Sequence, residues 1–280
     1  MRSASKHKHL YTHGRHEWTV SNSLEALDYQ RDFYERYLRD GEVDIPGVRL
    51  EVRHALDEYD ARFEDQFPPK GARLTAWYLD ASTGVLSSES TSASSSASYE
   101  SQSVGDRLVF HRSFSEDTEI SGPMALRCFM ATDAGFDLDL FVGVRKFDEQ
   151  GMEVEFWNRL SRRDIVTRGW LRASRRPDPA SVVDAFIPVA DYERERPVVP
   201  GEVVELNVEI LPSSTLFEAG SSLVLELRGR DVTELPNFQH HRIFNCGRHT
   251  LFTGGEFPSR LLVPIVPRGE SEGFRQPRAS

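Results

Sequence analysis

The sequence predicts a mainly β protein, a sandwich or jelly roll of short strands preceded by a small strand-loop-helix unit of α/β type. Three observations carry this. Apolar residues recur with a period of two through most of the chain after Val48, Gly and Pro punctuate the runs, and one segment near the front keeps a helical period instead.

The helical segment covers residues 22–40, where Leu24, Leu27, Phe33, Tyr34, Tyr37 and Leu38 fall at three- and four-residue intervals. Asn22 followed by Glu25 predicts a capping box, and Gly41 suits the left-handed stop. Upstream, His9-Leu10-Tyr11-Thr12 predicts a short buried strand. One such α/β unit cannot build a stable sheet by itself.

The clearest strand sets Val204, Leu206, Val208 and Ile210 on one face and Glu205, Asn207 and Glu209 on the other. Val48-Arg49-Leu50-Glu51-Val52 alternates in the same way. Further runs lie at 136–147, ending in the turn Asp148-Glu149-Gln150-Gly151, and at 223–227; an apolar run at 259–266 contains Pro264. Residues 87–103 are rich in Ser and offer almost nothing to bury, so they are expected to form a mobile surface loop or linker.

A formal net charge of -10 over 280 residues argues against a nucleic-acid partner, which requires clustered Lys and Arg. No apolar run approaches the roughly 20 residues of a membrane span, and the first residues lack the apolar core of a signal peptide. A soluble, cytoplasmic chain with no membrane partner is expected. Cys128 and Cys246 lie far apart and are read as two buried thiols rather than a disulfide framework or a zinc pattern.

Several stretches resemble one family in order along the chain. They are Ser115-Glu116-Asp117-Thr118-Glu119-Ile120-Ser121-Gly122, Phe136-Asp137-Leu138-Asp139-Leu140-Phe141-Val142 and Gly169-Trp170-Leu171-Arg172-Ala173-Ser174-Arg175. The last runs from Asn245-Cys246-Gly247 through Gly254-Gly255-Glu256-Phe257-Pro258-Ser259 to Leu262-Val263-Pro264. Together they resemble the C-terminal domain shared by X-prolyl dipeptidyl peptidases and cocaine-esterase-like hydrolases. The resemblance implies a galactose-binding-like jelly-roll β-sandwich packed against an α/β-hydrolase domain, of which the front of this chain would be a short remnant. The implied division is 1–86 for that remnant and a connector, 87–106 for the Ser-rich linker, 107–267 for the jelly roll and 268–280 for a disordered tail.

Leu10-Tyr11-Thr12-His13-Gly14-Arg15-His16 is similar to the family segment in which a strand ends in Gly-Pro-Trp-x-His and the His is the catalytic base. His16 takes the His position; Thr12, His13 and Gly14 stand where the family has Gly, Pro and Trp. The resemblance therefore implies His16 as general base of a serine hydrolase acting through an acyl-enzyme. In that fold the order is Ser, then Asp or Glu, then His, and no Gly-x-Ser-x-Gly elbow occurs in these residues. The expectation is a C-terminal portion of the enzyme, inert or nearly so by itself, whose partner in the intact protein is a small-molecule or peptide acyl substrate, with self-association as a further expectation.

Other readings stay open. His16 could be a polar loop histidine, and His7, His9, His13 and His16 could suggest a metal, although no carboxylate or thiolate stands at ligand spacing and no cofactor is expected. His240-His241 reads as a solvent-facing pair, and Asp137 and Asp139 as lining a strand face rather than as acid and base. Trp157, Trp170, Phe186 and Phe238 read as core, the alternative being a sugar platform. As a whole, the chain could instead be a stand-alone jelly-roll binding module, or a split or pseudoenzyme subunit.

Overall fold

The computed structural model describes residues 5–158, 163–177, 188–233 and 245–267. The front comprises β1 (Leu10–Tyr11), α1 (Glu17–Ser21), α2 (Leu24–Leu38), β2 (Val48–Arg53) and β3 (Tyr59–Glu64). Next come β4 (Arg73–Asp80), β5 (Val85–Ser87), β6 (Ser95–Glu100), β7 (Leu108–Ser113) and β8 (Thr118–Thr132). The middle holds β9 (Asp139–Phe147), β10 (Glu153–Val154), β11 (Phe156–Trp157), β12 (Arg163–Asp164) and β13 (Thr167–Arg172). The last strands are β14 (Val204–Phe217), β15 (Ser222–Arg228), β16 (Arg248–Thr253) and β17 (Arg260–Val266). The protein is mainly β, as its periodicity predicts.

The strand order closes on itself. From β14 the pairings run through β13, β9, β15, β7, β5, β4, β17 and β8, and β8 pairs back with β14. The β14–β8 ladder is antiparallel from Val204↔Met130 to Phe217↔Thr118, with a bulge between Ile210 and Ser213. Pro212 lies in that bulge, where its missing N–H interrupts no ladder bond. β13 meets β14 at Gly169↔Ile210. A Cβ on Gly169 would lie 2.2 Å from the Glu209 carbonyl oxygen, so only glycine allows this approach.

One apolar cluster fills the interior, with Leu126, Met130, Leu140, Val142, Leu206, Val208, Leu225 and Val263 all fully buried. β14 alternates as expected, burying Val204, Leu206, Val208 and Ile210 and exposing Glu205 and Glu209. β15, in contrast, buries six of its seven residues: it is a central strand between β7 and β9, one face turned to the core and the other to a cavity whose charged walls shield Val224, Glu226 and Arg228.

The Ser-rich tract departs from the loop expectation, since its second half is β6, antiparallel to β16 from Arg248↔Glu100 to Thr253↔Ser95. Hydroxyls pair across this ladder, Ser95 with Thr253 at 2.8 Å and Ser98 with Thr250 at 2.9 Å, while Tyr99 is fully buried. One aromatic anchor and a row of hydroxyl pairs hold a segment whose composition looks unfoldable. Hydrogen bonding does not follow the division at 86 and 106 either. β4 pairs with β17, β5 with β7, and Trp77, Leu79 and Leu86 belong to the main cluster.

At the front, β1 lies parallel to β2 and α2 follows, which is the expected strand-loop-helix order. The caps differ by one residue from expectation. Ser23, not Asn22, accepts the Ala26 N–H at the start of α2, and Asn22 closes α1 instead. At the far end Asp40 takes the left-handed conformation with φ 54, leaving Gly41 to donate its N–H to Glu35 O at 2.9 Å. Asp tolerates this region better than most side chains. The segment 268–280, His240-His241, Phe186 and Phe238 lie outside the described residues.

Candidate functional site

β2 is buried on both faces, which its alternating sequence does not announce. Val48, Leu50 and Val52 form a small cluster on one side, with Leu10, Phe67 and Leu216 against it. Arg49 and Glu51 point the other way into an ion network. Arg49 Nη1 donates to Glu51 Oε2 at 3.0 Å, and its Nε donates to Glu25 Oε1 on α2 at 2.9 Å. Its guanidinium also lies 4.6 Å from the Tyr11 ring centroid. Burial pulls the Arg49 guanidinium down, but hydrogen bonds to Glu25 and Glu51 more than offset it, so its pKa sits above the ordinary value. The Gly14 N–H donates to Glu51 Oε1 at 2.8 Å, fixing the loop that carries His16.

His16 sits at the N-cap of α1, half-buried, where its Nδ1 accepts the Trp18 N–H at 3.3 Å. That bond places the ring proton on Nε2. A triad base uses the opposite tautomer, with Nδ1–H donated to a carboxylate and the Nε2 lone pair facing a serine. Among the described residues His16 bonds to neither a carboxylate nor a serine hydroxyl. The other front histidines have separate partners: His9 contacts Pro46 O and the Tyr37 hydroxyl, both at 2.9 Å, and His13 contacts Arg15 O at 3.0 Å. No group of three potential metal ligands occurs among the described residues.

Asp137 and Asp139 are structural. Asp137 accepts the Ser174 N–H and hydroxyl, and Asp139 takes a two-pronged pair from Arg172 at 2.7 and 2.8 Å. Neither Trp157 nor Trp170 joins the core, contrary to expectation. Trp170 is 56 % exposed, and the Trp157 Nε1–H donates to Asp57 at 2.8 Å at the edge of a cavity. Cys128 is buried, Cys246 is partly buried, and both are free thiols.

Two cavities stand out. One, of about 580 Å³, lies over β7, β9 and β15, and its charges are matched internally: Glu226 receives Arg145 at 2.8 Å and Arg228 at 3.3 Å. The other, of about 470 Å³, lies between the front unit and the β14 bulge and is lined by Leu10, Phe67, Trp157, Leu211 and Arg53, among others. Sequence reasoning missed Arg53 because a charged residue closing an alternating strand reads as solvent-facing.

These features define a β-rich domain with a helical front unit locked to it by buried charges. The chain belongs to the X-Pro dipeptidyl-peptidase C-terminal non-catalytic domain family, which matches residues 42–262, within the X-prolyl dipeptidyl peptidase and cocaine-esterase-like hydrolases. Two crystal structures of a CocE/NonD family hydrolase from Staphylococcus aureus superpose with TM-scores of 0.88 and 0.87 at 32 % identity. They cover 95 % and 94 % of this chain and 50 % of that one. An aminopeptidase from a marine sediment Thaumarchaeota archaeon matches with a TM-score of 0.61 over 89 % of this chain and 44 % of its own. An α-amino acid ester hydrolase matches with 0.61 over 84 % of this chain and 44 % of its own. At 16 % identity these last two establish the fold alone. No curated protein matches the sequence. The chain spans about half the length of the solved structures it matches. No described helix is long and apolar enough to cross a membrane.

The residues that carried the family resemblance mostly serve the fold. The Asn245 side chain ties Asp139 N–H to Gly229 O, at 2.9 and 2.7 Å. Gly254, at φ 70, lies so close to Ala93 O that a Cβ would come within 2.1 Å.

Proposed function

We propose that this chain is the C-terminal portion of a serine hydrolase that cleaves an ester, amide or X-prolyl peptide bond through an acyl-enzyme. In this reading its main body is a galactose-binding-like jelly roll that helps wall the substrate cleft, and its front unit completes an α/β-hydrolase domain. His16 serves there as general base, with its tautomer reset by an incoming carboxylate and its Nε2 offered to a serine supplied by the catalytic half. Without those two groups the chain is inert toward acyl substrates.

The observation that supports this best is the apolar face of α1 and α2. Trp18, Leu24, Leu27, Tyr34 and Leu38 are all exposed, on helices standing beside the edge strand β1. Large apolar side chains left exposed together on neighbouring helices are the usual mark of an interface. A hydrolase of twice this length, whose other half is available to pack there, supplies a fitting occupant.

A chimera tests the reading. This chain replaces the matching half of the Staphylococcus aureus hydrolase, and p-nitrophenyl acetate hydrolysis is compared with that of the isolated chain. Turnover by the folded chimera and none by the chain is the expected result. Comparable turnover by the isolated chain, or a folded chimera with no turnover, contradicts it.

A further inference from the structure

Arg53 ends β2 where that strand meets β14, paired to Thr215. Its Nη2 is fully committed, donating to Val166 O at 2.9 Å, Ser213 Oγ at 2.7 Å and Thr215 Oγ1 at 3.3 Å. Phe156 covers the guanidinium, its ring centroid 4.8 Å away. Nε reaches Ser214 O at 3.5 Å, and among the described residues Nη1 donates to no residue and no carboxylate lies within 4.0 Å of the group. The absence of a side chain at Gly14 gives the Arg53 stem room, since a Cβ there would lie 2.5 Å from Arg53 Cδ.

The two acids lining the cavity are already matched. Glu51 takes Arg49 and the Gly14 N–H, and Asp164 takes Arg168 and the Ile165 N–H. Among the described residues Arg53 is thus the cation left over in a cavity of about 470 Å³, within the size range of small-molecule sites. Burial pushes its guanidinium down to about 10, against the pull of Glu51 and Asp164. A cation held this way gains most from a partner that carries its own negative charge. Leu10, Phe67 and Leu211 supply apolar wall around it, and Ser213, Ser214 and Thr167 supply polar groups.

We propose that this cavity binds a small organic monocarboxylate, with its carboxylate on Arg53 Nη1 and its apolar body against Leu10, Phe67 and Leu211. Every lining residue named belongs to this chain, so the site stands or falls separately from docking to a catalytic half.

Calorimetric titration of the full chain with phenylacetate tests this, with phenylacetamide as the neutral control and acetate as the carboxylate without a body. Phenylacetate is expected to bind at least about tenfold more tightly than either control, since each tenfold corresponds to about 1.4 kcal/mol. Arg53→Gln is expected to abolish the binding. Should that variant fail to fold, Leu211→Glu decides: residue 211 is 45 % exposed, so the fold tolerates the change, and the added carboxylate is expected to weaken phenylacetate about tenfold. No binding of phenylacetate, equal binding of acid and amide, acetate as tight as phenylacetate, or full affinity in a folded Arg53→Gln or Leu211→Glu variant overturns the proposal.

Discussion

Arg49 and Glu51, two residues apart on one strand, face each other at 3.0 Å with side chains only 2 % and 1 % exposed. A strand places residues i and i+2 on the same face, and that face is roofed by the helix carrying Glu25. The pair joins α2 to β2. It also holds the loop of His16 in place through the Gly14 N–H.

Removing Glu51 leaves the buried Arg49 guanidinium with the half-exposed Glu25 as its remaining carboxylate among the described residues. Glu51→Ala is expected to cost on the order of 3 kcal/mol in urea unfolding, the low end of the penalty for breaking a buried pair, because Glu25 still compensates Arg49 in part. The double variant Arg49→Met with Glu51→Leu should cost clearly less than the two single changes added together, because each side chain removed is the other's fully buried partner. Additive losses would mean that the two side chains do not act as a pair.

His249 gives the fold an acid limit. It is fully buried, with Nδ1 3.2 Å from the Tyr99 hydroxyl, and burial pushes its imidazole down to about 4 against the opposing pull of Asp139 and Asp133. The unfolded imidazole titrates near 6.5, so between the two values the unfolded state binds more protons. Stability from this group is complete above about pH 6.5 and is lost as pH falls toward 4, by on the order of 3 kcal/mol.

Two other groups do not mask that window. Burial pushes Glu218 up, but hydrogen bonds from His54 and Lys146 bring it down to about 2, so its contribution is lost only as pH falls from its ordinary range toward that value. His54, raised by its bond to Glu218, contributes in the opposite sense: its share is complete at acid pH and is lost as pH rises through its raised pKa. Urea midpoints measured from pH 7 to 4.5 should therefore fall in the native chain and stay flatter in His249→Phe. Parallel curves for the two proteins would remove His249 as the cause.

The apolar face of α1 and α2 separates folding from docking. Leu24 and Leu38 are 69 % and 73 % exposed, so Leu24→Glu with Leu38→Glu should shift the unfolding free energy by no more than about 1 kcal/mol. In the chimera with the Staphylococcus aureus half the same changes should lower turnover and loosen the two halves to proteolysis. Unchanged turnover would show that this face is not the interface.

Much of the fold was legible where burial is one-sided. The β14 alternation reads directly because its charged face remains in water. What could not be read depends on what covers the second face. β2 alternates like a surface strand, yet α2 closes over Arg49 and Glu51, and no local pattern reports a helix lying above. β6 was hidden because serine carries no apolar signal, and its pairing rests on Tyr99 and on hydroxyl partners about 150 residues away in sequence. Arg53 was hidden for a related reason: its counter-surface is the β14 bulge, more than 150 residues downstream. His16 entered through a family resemblance alone, and its present hydrogen bond to Trp18 belongs to helix capping.

Burst kinetics on the chimera, with and without His16→Ala, test the central claim most directly. A serine acyl-enzyme mechanism with His16 as base predicts a p-nitrophenol burst in the parent chimera and a loss of about 10³-fold or more in turnover for His16→Ala. His13→Ala, altering a ring bonded to Arg15 O, should cost far less. Near-parental turnover in a folded His16→Ala chimera would contradict the account.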